Sequence, residues 1–87
     1  MMPNTYYRRV TAIKLIRKNE TVAAHMIYEP PVACASGQKL GLVAQQKEVI
    51  VTVEAYDGHG EPFYRRTFDP PLVMNKGDEL GVQFQFG

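Results

Sequence analysis

Two carboxylates stand directly ahead of proline pairs: Glu29 before Pro30 and Pro31, and Asp69 before Pro70 and Pro71. Brought together, such a pair could share a proton or hold a divalent cation. The plainer reading is that an acidic residue ahead of proline favours an extended bend. His25, His59 and Cys34 are the strong soft-metal ligands of the chain, but they lie far apart and lack C-x-x-C or H-x-x-x-H spacing. Cys34 with either histidine would make a nucleophile pair. Set among alanines, it reads more simply as a small packed residue. No G-x-S-x-G, phosphate-binding loop or dinucleotide fingerprint occurs. No catalytic residue, metal or cofactor is expected from these patterns.

Tyr6-Tyr-Arg-Arg9 and Phe63-Tyr-Arg-Arg66 echo one another. Rings that stack on bases beside guanidiniums that hold phosphate are the tools of single-stranded nucleic-acid binding. The same residues are enriched at protein interfaces. In a strand, Arg65 and Arg66 point to opposite faces, which limits how many arginines share one patch. The interface reading is preferred, with Tyr6, Tyr7, Arg8, Arg9, Tyr64, Arg65 and Arg66 as its residues. Nucleic acid on the same residues is the alternative.

Composition fits an ordinary small globular protein. The chain has 87 residues, 45% hydrophobic and 22% charged, with a net charge of +1. A near-neutral balance argues against binding to nucleic acid or a membrane surface through bulk charge. The charge is uneven, with Arg8, Arg9, Lys14, Arg17 and Lys18 near the start and Glu48, Glu54, Asp57 and Glu61 later. That polarity suits head-to-tail self-association or a charged partner; the plainer reading is two solvated faces of a small barrel. One cysteine excludes an internal disulfide, and no signal-like or membrane-spanning run is present. Cytosolic synthesis and no membrane partner are the expectations. A chain this short buries only about 60–65% of its unfolded surface, so oligomerisation or docking would help to stabilise it.

The elements that must carry these residues come in two copies. Tyr28-Glu-Pro-Pro-Val-Ala-Cys-Ala-Ser-Gly-Gln-Lys-Leu-Gly-Leu-Val43 aligns without a gap on Phe68-Asp-Pro-Pro-Leu-Val-Met-Asn-Lys-Gly-Asp-Glu-Leu-Gly-Val-Gln83, forty residues on. A fixed internal period marks one structural unit used twice. Strands are expected over residues 10–16, 21–28, 39–45, 48–56, 62–68 and 80–86. Glu29-Pro-Pro31 and Asp69-Pro-Pro71 are expected to end strands, because proline cannot donate to a ladder. Val49, Val51, Val53 and Ala55 should share one face, and Leu80, Val82, Phe84 and Phe86 should point inward. Asp57-Gly-His-Gly60 signals a hairpin. The fold expected is all-β: a small six-stranded β-sandwich or barrel with approximate internal two-fold symmetry. Residues 1–7 would form an arm, 8–47 one unit and 48–87 the other. Each unit exposes an apolar face, so the two must shield one another.

The stretch Thr67-Phe-Asp-Pro-Pro-Leu-Val-Met-Asn-Lys-Gly-Asp-Glu-Leu-Gly-Val-Gln-Phe-Gln-Phe86 resembles the closing segment of small β-sandwich accessory proteins in tailed-phage virions. There an aromatic-x-Pro-Pro bend leads to a glycine-aspartate turn and a last alternating strand. The resemblance covers about a quarter of the chain. It implies a non-enzymatic capsid or tail component and carries over no catalytic residue. The function expected is therefore a structural or interaction module that forms a homo-oligomer or docks onto a larger assembly.

Overall fold

The computed structural model describes residues 7–85. They form β1 (Tyr7–Ile16), β2 (Val22–Ala35), β3 (Lys39–Val43), β4 (Glu48–Tyr56), β5 (Pro62–Met74) and β6 (Glu79–Gln83), with no helix among them. One antiparallel sheet has the order β2-β1-β4-β5, and β3 pairs with β6 in a separate two-stranded ribbon. The strands do not close into a barrel.

The forty-residue offset holds throughout the pairing. In the first half Arg8 pairs with Cys34, Val10 with Val32, Ala12 with Ile27 and Leu15 with Ala24. In the second, Glu48 pairs with Met74, Ile50 with Leu72, Thr52 with Thr67 and Ala55 with Tyr64. The seams between halves are symmetric too. Ala12 pairs with Tyr56 and Ile16 with Thr52, so the central pair of that seam is Lys14 with Glu54. In the ribbon, Lys39 pairs with Gln83 and Val43 with Glu79, about a central pair of Gly41 and Gly81. A pseudo-two-fold axis therefore runs through Lys14/Glu54 and Gly41/Gly81. Neither unit is complete alone, because among the described residues β3 finds its strand partner in the other copy.

One core joins sheet and ribbon. Val10, Ile13, Leu15 and Leu42 from the first half meet Ile50, Val53, Ala55, Val82 and Phe84 from the second, with Cys34 and Met74 at equivalent places. Gly37 and Gly77 turn the chain from the long strands into the ribbon with φ of 86° and 90°, where a side chain would be strained. The Gly37 N–H donates to the Phe84 carbonyl and the Gly77 N–H to the Ala44 carbonyl, at 2.7 and 2.9 Å. These bonds tie each turn to the other unit.

Three expectations change. The proline pairs do not end strands, because β2 and β5 run through them. Residues 28–31 oppose Thr11 alone, and residues 68–71 oppose Val51 alone, so each proline pair sits in a bulge on an edge strand. No ladder donor is missed there. The same bulge changes the phase of the facing strand. Ile50, Val53 and Ala55 are buried, Val49 is exposed and Val51 is half-buried. Finally, β6 ends at Gln83, although Phe84 still points inward with no exposed surface. Phe86, Tyr6 and the rest of the expected arm before Tyr7 lie outside the described residues.

Candidate functional site

The sequence-derived interface residues fall into three settings. Arg8 leaves β1 to meet Asp57 at 2.8 Å and lies over the Phe63 ring, 5.4 Å from its centroid. Tyr64 points to the core side, edge-on to Phe84 at 5.0 Å. Arg65, on the opposite face, forks onto Glu54 through Nε at 2.9 Å and Nη2 at 2.6 Å. Arg66 lies over the Phe68 ring at 4.8 Å. Tyr7 and Arg9 are exposed at the start of β1, on the same side of the strand and opposite to Arg8. Arg8, Phe63, Phe84 and Tyr64 thus form one contiguous group, whereas Arg65 and Arg66 belong to different faces. The guanidiniums of Arg8 and Arg65 already face carboxylates within the fold.

The chemical pairings weighed for catalysis are not brought together. Glu29 and Asp69 lie on opposite edge strands, two strands and several residues apart. Strand spacing of about 4.8 Å puts the edges of such a sheet roughly 14 Å apart, far beyond shared coordination of one cation. Cys34 is buried in the core and its thiol is pushed up by burial, the reverse of nucleophile activation. His25 sits across β2 and β1 beside Lys14 on the outer face. His59 stands in the 57–61 turn against Asp57. Among the described residues no group of three or more metal-ligating side chains converges. No helix among them is long and apolar enough to cross a membrane.

Glu54 is a polar hub that sequence reasoning missed. It is only 6% exposed, on the outer face of the sheet at the pseudo-axis. The Tyr56 hydroxyl donates to its Oε1 at 2.7 Å, and Arg65 holds its Oε2. Lys14 sits over the Tyr56 ring at 4.9 Å. The Tyr56 bond is the main cause holding the Glu54 carboxyl below its usual range; burial opposes it, and Arg65 and Lys14 add to the lowering. The same bond raises the Tyr56 phenol.

The two halves differ most where a cavity opens. Its volume is about 390 Å³, and Leu15, Ala23, Ala24, Leu42, Ala44 and Met74 form much of its wall. Forty residues on, Ala23, Ala24 and Ala44 become Phe63, Tyr64 and Phe84. Those three rings fill the corresponding space in the second half, with Phe63 and Phe84 at 5.2 Å and Tyr64 and Phe84 at 5.0 Å. Leu15 and Met74, in place of Ala55 and Cys34, recover only part of the missing volume. The cavity is the symmetry mate of an aromatic cluster with its rings removed.

The adjoining edge differs in the same way. β2 and β5 bound the sheet on its two sides, and among the described residues no further strand pairs with either. On β5 the exposed edge carries Arg65 and Arg66; the equivalent places on β2 are His25 and Met26. Val22, Met26 and Ile27 of β2 are 44%, 41% and 64% exposed. Charged side chains are the usual guard of a free strand edge. The β5 edge has that guard, and the β2 edge has no Lys, Arg, Asp or Glu between Val22 and Ile27.

Comparison with protein-family models, with curated proteins and with solved structures returned no match.

Proposed function

We propose that this chain is a non-enzymatic interaction module that self-associates or docks onto a larger assembly, with the β2 side of its sheet as the acceptor surface. The observation that carries the reading is the contrast between edges. Two strands related by symmetry end the same sheet, one guarded by two arginines and the other lined by exposed apolar side chains beside an unfilled, mostly apolar cavity whose lining also includes Gln45, Gln46 and Glu48. An edge of this kind takes up an added strand through its main-chain groups, and pockets for alternate side chains confer selectivity. A virion accessory component is one assembly of this kind, in keeping with the resemblance of the C-terminal segment. Tyr7, Arg8 and Arg9, at the far end of β1, would form the donor side of such a contact.

The test is a charge placed on the open edge. Ile27 is 64% exposed, so Ile27→Lys should leave the fold within about 0.5 kcal/mol of wild type. Sedimentation equilibrium should show the wild-type chain associating beyond its 9.8 kDa monomer, and Ile27→Lys doing so at least tenfold more weakly. Equal association by both proteins would contradict the reading.

A further inference from the structure

The cavity has a shape that the molecule itself interprets. In the second half, the equivalent space is filled by a tyrosine and two phenylalanines that meet edge-on or tilted at about 5 Å, the packing aromatic rings prefer. In the first half, three alanines leave that space open beside β2. An aromatic side chain is therefore the occupant this wall fits. A volume of about 390 Å³ is also within the usual range for sites that bind organic groups, roughly 300–1,000 Å³.

The chain carries an exposed aromatic residue at its other end. Tyr7 is 51% exposed at the start of β1, and Tyr6 precedes it. Tyr7 cannot enter the cavity of its own chain. Leu15, on the cavity wall, is eight residues along the same strand, about 26 Å away at the rise of an extended chain. The molecule is 46 Å long and 22 Å across, so that separation along β1 places Tyr7 and the cavity toward opposite ends of its long axis. The turns at those ends also differ in sign. Residues 17–21, next to the cavity through the Arg17–Glu48 pair, carry Arg17, Lys18 and Glu20. Residues 57–61, next to Tyr7 through the Arg8–Asp57 pair, carry Asp57 and Glu61. The two ion pairs occupy symmetry-equivalent places with their charges reversed.

We infer that the cavity beside β2 is the acceptor for Tyr7 of a second copy of this chain, so that copies join head to tail. This rests on the interaction reading above and names its partner. A contact between unlike surfaces leaves one acceptor and one donor free at the ends of every pair, and growth continues unless a ring closes. Complementary variants test it. Tyr7→Ser removes the donor. Ala24→Tyr with Ala44→Phe fills the acceptor with the rings of the other half. By sedimentation velocity, each variant alone should stay monomeric at concentrations where wild type associates. A one-to-one mixture should give a complex of two chains and nothing larger.

A mixture that stays monomeric, or a filled cavity that leaves wild-type association intact, would overturn the inference. Circular dichroism and a melting temperature no lower than wild type establish that the filled variant folds. If it does not fold, the smaller Ala44→Leu serves in its place, with a weakening of at least tenfold expected. Loss of assembly in Ile27→Lys without loss in the filled variant would reject this occupant while leaving the edge reading in place. A wild-type chain that never exceeds 9.8 kDa would reject both.

Discussion

Phe84→Ala should lower the unfolding free energy by about 3–5 kcal/mol, the range for deleting a buried ring. Phe84 has no exposed surface and is the centre of the ring group with Phe63 and Tyr64. Its carbonyl also receives the Gly37 N–H, so it sits where the last segment of the second unit closes on the first. For a domain of 60–100 residues each kcal/mol moves the melting temperature by about 4–8 °C. A fall of more than 12 °C by calorimetry is the expected result. Phe84→Leu should recover part of it, because volume returns without ring contacts. The equivalent residue in the other half is Ala44, on the cavity wall. The loss on Phe84→Ala thus measures what the first unit forgoes at the same place.

Glu54→Gln has the second largest expected effect, and its signature is pH dependence. The substitution keeps the shape but removes the charge that Arg65 and Lys14 face and weakens the bond from Tyr56. Loss of a charge-assisted bond at a buried position costs about 1–3 kcal/mol. The folded carboxyl titrates below its ordinary value of 4.5, so the unfolded chain binds the proton first as pH falls. The stabilisation is fully present above the unfolded value and disappears as pH drops through the lower folded one. Urea midpoints measured from pH 6 to pH 3 should therefore fall more steeply for wild type than for Glu54→Gln. Glu48 and Asp57 are also lowered. Arg17 is the main cause at Glu48; at Asp57 burial is the largest single effect and acts upward, but the bonds from His59 and Arg8 together outweigh it. The acid slope should shrink in the variant without vanishing. Identical slopes would contradict the hub assigned to Glu54.

The all-β class and the duplicated unit were legible from residues 28–43 and 68–83, where Pro30, Pro31, Gly37, Leu40 and Gly41 recur forty residues on. Those residues do the same backbone work in both copies, in the bulge, the turn and the centre of the ribbon. The preceding strands follow the same offset in space, yet residues 8–27 and 48–67 share no identity at that offset. Backbone pairing tolerates that freedom, since Lys14 and Glu54 or Ala24 and Tyr64 serve equally as strand residues. The cavity was invisible for this reason: it appears only when Ala23, Ala24 and Ala44 are compared with Phe63, Tyr64 and Phe84. The likeness of Tyr6–Arg9 to Phe63–Arg66 drew attention to a different offset. In the fold the two stretches do not occupy equivalent places, although Arg8 lies over the Phe63 ring. The proline pairs misled because a bulge on an edge strand accepts residues that a central ladder rejects.

Each functional step depends on a rotation that exchanges the halves. Backbone nuclear Overhauser contacts test that rotation at the two pairs it leaves in place. Cross-strand contacts should join Lys14 to Glu54 and Gly41 to Gly81 in one and the same folded monomer. Absence of either, or pairing of Gly41 with any residue other than Gly81, would show that the units are not interlocked and that the cavity is no counterpart of the aromatic cluster.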